Sequence, residues 1–331
     1  MEATGLADIA VTRYDSEYKN EWNAFVSKAK NGIFLFDRNY MDYHSDRFID
    51  HSLIFKDGED IVAVLPANER DGVLFSHGGL TYGGLLIDST VKQHTVNDCV
   101  SALLNYLKNA GFEKLIYKPV PHVFHKQPSE EDLYALHRNG GTLSEVTAST
   151  IVNLKKPLKM PKGRKAQISR AKREGVEIRL LEDKEDYGHF IDLENEVLGS
   201  RHGVKAVHTA EELFLLHSNF PDNIHLYGAV KDGTMIAGTV VFEYDTAIHT
   251  QYMASSDLGR TIGALDLAIA TVMNDYKDTK LWMDFGISTE DHGKILNEGL
   301  ISQKEGFGGR TNIYTVWNLD VAANRGGVLD T

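Results

Sequence analysis

Short segments in which apolar and polar residues alternate are separated along the chain by stretches with apolar residues at helical spacing. In the C-terminal half the alternation predicts strands at 224–230, 235–242, 248–254 and 281–286. Helical spacing predicts helices at about 183–199, 209–218 and 260–270. This half of the chain is therefore expected to form a sheet flanked by helices.

The same order of elements occurs twice. Lys56-Asp57-Gly58 and Lys231-Asp232-Gly233 each separate two strand patterns, as in a hairpin. After each hairpin come further strand pattern, a long amphipathic helix and a short strand with an aromatic residue. We therefore predict an α/β fold of the α+β type, made of two tandem units at 1–150 and 151–331. Each unit should have a mixed, mostly antiparallel sheet flanked by helices.

Composition narrows the class of protein. The chain has 331 residues, 42% of them hydrophobic, and no apolar run reaches the roughly 20 residues that span a bilayer. Its N-terminal residues lack the basic and apolar segments of an export signal, and Cys99 is the single cysteine. We therefore expect a cytoplasmic protein without a membrane span. The net charge of −12 argues against DNA as a partner.

One segment departs from this acidic character. Nine basic residues and no acidic residue lie between Lys155 and Arg173. Within it, Arg164 and Arg170 are candidates for binding an anionic acceptor. A solvated helix face on a connection between domains is the alternative interpretation.

A second candidate site follows the strand at 248–254. Glycines let a backbone approach a ligand closely, and the N-terminal end of a helix attracts anions. The turn before the predicted helix therefore suggests a phosphate site, with an ordinary turn and a packing glycine as the alternative. Its residues are Gly259, Arg260, Thr261, Gly263 and Ala264.

Arg260-x-x-Gly263-Ala264 resembles the Arg/Gln-x-x-Gly-x-Gly/Ala signature of GNAT acyltransferases, with Leu265 at the last position. Asp284-Phe285-Gly286 and Lys304-Glu305-Gly306-Phe307-Gly308-Gly309 resemble segments of the FemAB-like branch, whose members carry two GNAT units in one chain. The resemblance implies acyl-CoA, with acetyl-CoA expected, as the co-substrate. It also implies that the first unit lacks the CoA site, because no matching Arg-x-x-Gly begins its helix.

The resemblance also implies roles for single residues. In GNAT relatives two splayed strands hold the pantetheine, and a backbone N–H near Met253 or Ala254 would face the thioester carbonyl. Lys304 lies where the family often has a tyrosine that protonates the leaving thiolate. Strand end, exposed strand face and exposed helix are the structural alternatives for Asp284, His249 and Lys304.

Acyl transfer to an amine also needs a group that accepts a proton. The predicted catalytic residues are Lys304, Asp284, His249 and Glu243. His202 and His208 lie in a polar segment between two helices, and with Gln251 they are predicted to bind the acceptor. His122 and His125 do not have the spacing of a metal site with a carboxylate, so no metal is predicted.

These observations predict an N-acyltransferase that uses acyl-CoA and a small anionic acceptor. The resemblance favours a nucleotide-linked amino sugar or another cell-envelope precursor as the acceptor. One alternative is FemAB-type aminoacyl transfer from aminoacyl-tRNA to a peptidoglycan precursor, with tRNA as the partner. Another is a non-catalytic binding protein with two degenerate GNAT units. The oligomeric state stays open.

Overall fold

The computed structural model describes residues 9–202 and 206–322. Its strands are β1 (Ile9–Arg13), β2 (Ile49–Asp50), β3 (Leu53–Asp57), β4 (Asp60–Leu65), β5 (Asn68–Arg70), β6 (Val73–Phe75), β7 (Leu86–Ile87), β8 (Lys114–Tyr117), β9 (Thr142–Asn153), β10 (Glu177–Leu181), β11 (Ile224–Lys231), β12 (Thr234–Glu243), β13 (Ala247–Ser255), β14 (Trp282–Ile287), β15 (Thr289–Glu290), β16 (Ile295–Leu296) and β17 (Arg310–Asp320). Its α-helices are α1 (Lys19–Lys28), α2 (Arg38–Met41), α3 (Gln93–Asn109), α4 (Glu131–Arg138), α5 (Lys162–Arg173), α6 (Lys184–His202), α7 (Ala210–Asn219), α8 (Asp257–Ile262), α9 (Ala264–Tyr276) and α10 (Glu298–Glu305).

The chain divides into two compact units. Unit 1 contains Met1–Val146 and Tyr314–Thr331, and unit 2 contains Thr147–Ile313. Among the described residues, none of the helices is both long and apolar enough to cross a membrane.

Unit 1 has two groups of paired strands. One has the order β1-β3-β4-β7, with antiparallel neighbours throughout. In the other, β8 pairs with β17 in the antiparallel direction and with β6 in the parallel direction, and β5 and β2 continue from β6. Helix α3 buries its apolar face, from Val96 to Leu107, in the core that these strands share. Burial of such a face is the main source of stability for a helix of this length.

Unit 2 is built on a sheet with the order β10-β11-β12-β13-β14-β9. All its neighbouring strands are antiparallel except β13 and β14, which are parallel. Ala237 packs in a core cluster with residues of α9, whereas a Cβ on Gly238 would lie 2.9 Å from the ring of Phe190 in α6. Because consecutive residues of a strand face opposite sides, α9 and α6 cover opposite faces. The predicted mixed, mostly antiparallel sheet with flanking helices is confirmed.

The repeat predicted from the sequence is present in the structure. Strands β3 and β4 form one hairpin, and β11 and β12 form the other, each around its Lys-Asp-Gly turn. A helix and a strand in a parallel pair follow in both units, as α3 with β8 and α9 with β14.

The predicted helix at 260–270 is two helices. Ser256 caps α8 through a hydrogen bond from the Gly259 N–H to its Oγ, at 3.0 Å. Gly263 ends α8 with φ of 80°, in the left-handed region that glycine tolerates best, and α9 begins at Ala264. The expected loop at Gly259–Ala264 is therefore mostly helical.

Candidate active site

The two parallel strands of unit 2 separate part of the way along their length. Pairing between β13 and β14 runs from Ala247 opposite Trp282 to His249 opposite Asp284. Strand β13 continues to Ser255, and β14 to Ile287, without further pairing between them among the described residues. The separation leaves an opening beside Thr250–Ser255, where the sequence predicts that the acyl donor binds.

An irregularity in β13 lies at this opening. Val240 of β12 pairs with Tyr252 and Val241 pairs with Thr250, so Gln251 is an extra residue in β13. Such a bulge leaves the extra residue without its ladder partner and bends the strand. The half-buried segment from Gln251 to Met253 therefore presents main-chain groups at the opening.

Asp284 organises the end of β14. Its carboxylate is fully buried and accepts hydrogen bonds from Ser149 Oγ (2.6 Å), from His249 Nδ1 (2.5 Å) and from the Gly286 N–H (3.0 Å). A buried carboxylate needs such donors to compensate for lost hydration. Asp284 thus joins β9, β13 and the end of β14.

Lys304 of α10 reaches the same strand end. Its side chain is buried, and Nζ donates to the carbonyl oxygens of Gly286 (2.9 Å) and Ile287 (2.7 Å). An ammonium has three protons, so one proton remains for another acceptor. Burial lowers the pKa of Lys304 to about 8, although the negative charge of Asp284 acts to raise it. The Gly286 backbone that holds Lys304 has φ of 71°.

Aromatic packing holds α10 against β14. The rings of Phe285 and Phe307 are stacked with centroids 5.5 Å apart. On Phe307 lies the guanidinium of Arg164, with Cζ 4.3 Å from the ring centroid, and Arg164 Nη2 donates to the carbonyl oxygen of Gln303 at 2.8 Å. The Asp-Phe-Gly and Lys-x-x-Phe segments noted in the sequence therefore form one packed group, and Arg164 belongs to it.

Helix α5 covers the point where a phosphate was expected. A Cβ on Gly263 would lie 2.7 Å from the carbonyl oxygen of Gln167 in α5 and 2.9 Å from its carbonyl carbon. In the first turn of α9, the Asp266 carboxylate is paired with Nη1 of Arg164. Protein groups therefore occupy the surroundings of Gly263, including the ion pair of Asp266 and Arg164.

Other residues of the predicted phosphate site are engaged within α8. Arg260 donates to the carbonyl oxygen of Ser255 and pairs with the carboxylate of Asp257. Thr261 Oγ1 donates to the carbonyl oxygen of Asp257 at 2.9 Å, and Gly259 is buried. Among the predicted donor-site residues, Met253 and Ala254 lie along the opening.

Glu243 lies at the opposite end of β12 from this opening. Its carboxylate accepts from Lys280 Nζ at 2.7 Å and lies 3.2 Å from Nε2 of His225. Although burial acts to raise it, hydrogen bonds from His225, Lys280 and Tyr276 and the charge of Lys280 lower the pKa of Glu243 to about 2. The structure does not bring Glu243 together with Lys304 and Asp284.

The predicted acceptor-binding residues are found in different places. His208 is buried, and its Nδ1 is hydrogen-bonded to the hydroxyl of Tyr252, one residue after Gln251. Arg170 is exposed on α5. His202 ends α6, and its side chain lies outside the described residues. The roles assigned to all these residues stay predictions.

Three side chains near the opening were not predicted from the sequence. They are Ser149, which binds Asp284, Tyr252, which binds His208, and Glu194 of α6. Glu194 lies at helical spacing from the apolar residues Tyr187, Phe190 and Ile191. A carboxylate on the apolar face of a predicted helix could therefore have identified it from the sequence. In the described part of the chain, no three His, Cys, Asp or Glu side chains are grouped to hold a metal ion.

Comparison with known proteins agrees with this architecture. Residues 162–294 match the family described as the acetyltransferase (GNAT) domain. No curated protein sequence matches the chain at a significant level.

Solved structures with the same fold cover nearly the whole chain. FemX has a TM-score of 0.67 and 12% identity, over 94% of this chain and 97% of FemX. L-PGS from Bacillus licheniformis has a TM-score of 0.62 and 14% identity, over 92% of this chain and 91% of L-PGS. A tandem GNAT protein from the clavulanic acid biosynthesis pathway has a TM-score of 0.51 and 12% identity, over 95% of this chain and 99% of that protein. The predicted resemblance to FemAB-like tandem GNAT proteins is confirmed at the level of the fold.

Proposed function

We propose that this chain, which has the tandem GNAT fold of FemAB-like proteins, transfers an aminoacyl group from aminoacyl-tRNA to the amine of an acceptor. The observation that carries the choice of donor is the packing of α5 on Gly263. The acceptor class that the sequence resemblance favours is a cell-envelope precursor, such as a peptidoglycan precursor.

The opening between β13 and β14 supports acyl transfer. An ester carbonyl placed there would lie beside the bulge at Gln251 and near Lys304. The acceptor nitrogen would attack the carbonyl carbon, and the carbonyl oxygen would become an oxyanion. Main-chain N–H groups at the bulge and the third proton of the Lys304 ammonium are suited to stabilise this charge.

Lys304 is also suited to protonate the leaving group. As the bond between the carbonyl carbon and the ribose oxygen breaks, that oxygen needs a proton. Because burial lowers the pKa of Lys304 to about 8, its ammonium is a stronger acid than that of an exposed lysine. An amide and a tRNA with a free terminal hydroxyl are the products.

The surroundings of Gly263 favour a donor other than CoA. A pyrophosphate is held by backbone N–H groups that face solvent at a helix N-terminus. Here the Gln167 carbonyl oxygen lies at that helix end and repels phosphate oxygens, and Arg164 is already paired with the Asp266 carboxylate.

The basic residues of α5 suit a nucleic acid better than a small anion. On α5, the exposed basic residues are Lys162, Lys165, Arg170, Lys172 and Arg173. Phosphate neutralisation by several such residues supplies most of the affinity for a nucleic-acid backbone. We therefore propose that α5 contacts the acceptor stem of the tRNA. The local basic surface reconciles this partner with the net charge of −12.

A second candidate function is acyl transfer from acyl-CoA to a small amine. It is favoured by the match of residues 162–294 to the acetyltransferase (GNAT) domain and by the separated strands, which in GNAT relatives hold the pantetheine. In this case the pyrophosphate would have to bind away from Gly263, or α5 would have to move.

Thermal denaturation with CoA, acetyl-CoA and total tRNA separates the two functions. A ligand that binds only the folded protein raises Tm, and at 100 times Kd it stabilises by about 2.7 kcal/mol. We expect tRNA at low salt to raise Tm by several degrees, and saturating CoA to leave it unchanged. A rise with acetyl-CoA and none with tRNA would contradict the proposed donor and favour the second function.

Charge reversal on α5 tests the tRNA surface. In filter binding at several salt concentrations, we expect Lys165→Glu with Arg170→Glu to weaken tRNA binding at least tenfold and to reduce the slope of log K against log salt by about 0.7–0.9 for each phosphate that the variant no longer neutralises. The matched control is Lys108→Glu on α3 of unit 1, which is also exposed and should change neither quantity. Equal effects of the two changes would argue against a footprint on α5.

A further inference from the structure

Glu194 of α6 is a buried carboxylate that the chemistry described above does not use. The residue is 7% exposed, and its Oε2 has no hydrogen-bond partner in the described part of the chain. Buried polar groups are nearly always satisfied, and a carboxylate is more costly to leave unpaired than a neutral group. Oε2 of Glu194 is therefore a candidate for binding a ligand group that can donate a hydrogen bond.

The position of Glu194 follows from its neighbours. One turn earlier in α6, Phe190 lies against Gly238, which pairs with Ala254 of β13. The next residue, Asn195, accepts a hydrogen bond from the Ala206 N–H at 2.9 Å, and two residues further along, His208 binds the hydroxyl of Tyr252. Glu194 thus lies between α6 and β13, on the same side of the sheet as His208 and Tyr252.

Side chains of the candidate active site lie on this same face of the sheet. Asp284 and His249 lie on the same face, since Met283 and Ile248 beside them pack in the core under α9. An acceptor that enters between α6 and β13 would therefore pass Glu194 before it reaches the opening.

We propose that Glu194 binds the amine of the acceptor and accepts its proton during attack on the donor carbonyl. The proposal rests on the proposed acyl transfer to an amine. As the nitrogen–carbon bond forms, the N–H proton passes to Oε2 of Glu194. The carbon–oxygen bond of the donor then breaks, and the leaving oxygen takes a proton from Lys304. Glu194 afterwards releases its proton to solvent, and Lys304 takes one up.

His249 is less suited to this role. Its ring is held by Asp284 through Nδ1, and its Cε1 lies 3.3 Å from the position of a Cβ on Gly286, so it supports the end of β14. Oε2 of Glu194, by contrast, has no hydrogen-bond partner in the described residues. Burial raises the pKa of Glu194 to about 7, close to the working pH, where a general base is most effective.

Among the described residues, the titratable groups that α6 meets on the neighbouring elements are histidines and tyrosines. His208 and Tyr252 lie on the β13 side with His249, and on the α7 side His217 stacks on Tyr187 with ring centroids 5.1 Å apart. In the described residues no lysine or arginine donates a hydrogen bond to Oε2 of Glu194. A bound acceptor ammonium would supply the missing positive charge, and it must lose one proton to solvent before its nitrogen can attack.

Replacement of Glu194 by glutamine gives the first test. We expect Glu194→Gln to lower kcat of aminoacyl transfer by about 10²–10⁴-fold, the range found for loss of a general base. The fall of kcat/KM below about pH 7 should also disappear. Glu194→Asp should restore part of the rate. Glu196→Gln is the matched control, because Glu196 is exposed on the same helix and should leave the rate and pH profile unchanged.

Stability distinguishes this role from a structural one. Because glutamine removes a buried unpaired charge, Glu194→Gln should have a Tm at pH 8 equal to or above that of the unmodified protein. Wild-type kcat in Glu194→Gln with the acid limb still present would overturn the proposal. If Glu194→Gln does not fold, wild-type activity of Glu194→Asp per folded molecule at every pH would also overturn it.

A probe that needs no donor separates this proposal from the proposed function. At pH 8, n-propylamine at about five times its Kd should raise Tm by about 2 °C more than n-propanol does, and Glu194→Gln should remove the difference. If neither aminoacyl-tRNA nor acetyl-CoA supports transfer, the proposed function is contradicted, while this arm still decides whether Glu194 binds an amine. Equal shifts with the amine and the alcohol in the unmodified protein would overturn the role of Glu194.

Discussion

The parallel strand pairs of the two units begin alike and end differently. In unit 2, β13 is continuous and pairs with β12 on one side and with β14 on the other, until β14 separates after Asp284. In unit 1 these two roles belong to separate strands, because β7 pairs with β4 whereas β6 pairs with β8. The segment 76–85 lies between β6 and β7.

This segment closes unit 1 where unit 2 is open. The Ser76 N–H donates to the Ile116 carbonyl oxygen at 2.9 Å, and the Gly83 N–H donates to the Lys118 carbonyl oxygen at 2.8 Å. Leu80 and Tyr82 of the same segment are buried. The candidate site therefore lies in the unit in which β13 is continuous and β14 separates from it.

Each unit also has a lysine near the end of its parallel strand, in different surroundings. Lys118 follows β8, and its Nζ donates to the Leu80 carbonyl oxygen at 2.6 Å. Lys304 comes from a helix and binds two carbonyl oxygens of the strand end beside the opening. Burial lowers the pKa of both side chains to about 8, so the pKa alone does not mark the site.

The two lysines give the prediction with the largest expected effect. Lys304→Met should lower kcat of aminoacyl transfer about 10²–10³-fold, because the variant has one donor fewer for the oxyanion. Lys118→Met should leave kcat unchanged and alter the free energy of unfolding by about 1 kcal/mol, the size of one hydrogen bond. Steady-state kinetics and urea unfolding of both variants check this.

One outcome would contradict the role of Lys304 in the chemical step. Equal loss of activity in the two variants, at matched fractions of folded protein, would mean that Lys304 acts only by holding the fold. Thermal shift with tRNA should be the same for Lys304→Met and the unmodified protein, since Lys304 is assigned to the chemical step.

Two glycines test closure and opening separately. A Cβ on Gly83 would lie 1.7 Å from the Ser76 carbonyl oxygen, so Gly83→Ala should destabilise the protein by about 3 kcal/mol, with kcat per folded molecule unchanged. Gly286 has φ of 71° and a nearest neighbour at 3.3 Å, so Gly286→Ala should cost about 1–2 kcal/mol. Because the Gly286 carbonyl holds Lys304, that variant should also lose activity.

Urea unfolding and kinetics of both glycine variants provide the measurement. The comparison would fail if Gly83→Ala reduced kcat per folded molecule or if Gly286→Ala left kcat intact. Either result would disconnect the strand geometry from the proposed chemistry.

The local spacing of apolar and polar residues predicted most of the fold, because a strand or a helix can be identified from the spacing within a short segment. Asp284 and Lys304 were selected through resemblance, and their meeting at the end of β14 depends on the packing of α10, which no local pattern contains. The contact between Gln167 and Gly263 joins residues far apart in sequence, so the sequence suggested an open phosphate loop at Gly263. Glu194 was not predicted as a site residue from the sequence. A single carboxylate in an apolar stripe is visible in the sequence, but only the packed structure shows that no partner reaches it.

A pH dependence also follows from Lys304. Its ammonium is the form that stabilises the oxyanion and protonates the leaving oxygen, so kcat should fall up to tenfold for each pH unit above about 8. Lys304→Arg keeps a positive charge at all these pH values, so whatever activity it retains should not fall through this range. A pH–rate profile of the two proteins checks the assignment, and an identical alkaline limb in both would assign that limb to another group.

Stability should change with pH in the opposite direction. The pKa of Lys304 is about 8 in the folded protein and 10.5 as the ordinary value, so the unfolded chain binds more protons between these pH values. Stability therefore rises with pH across this window, by up to about 3 kcal/mol for this group. Because the tyrosines of the unfolded chain titrate at about pH 10, in the upper part of the window, the quantity to measure is the difference in unfolding free energy between Lys304→Met and the unmodified protein. The free energy of unfolding of the unmodified protein minus that of Lys304→Met should therefore rise steadily from pH 8 to pH 10.5. The corresponding difference for Lys118→Met should rise in the same way, because burial also lowers the pKa of Lys118 to about 8, but without any effect on kcat.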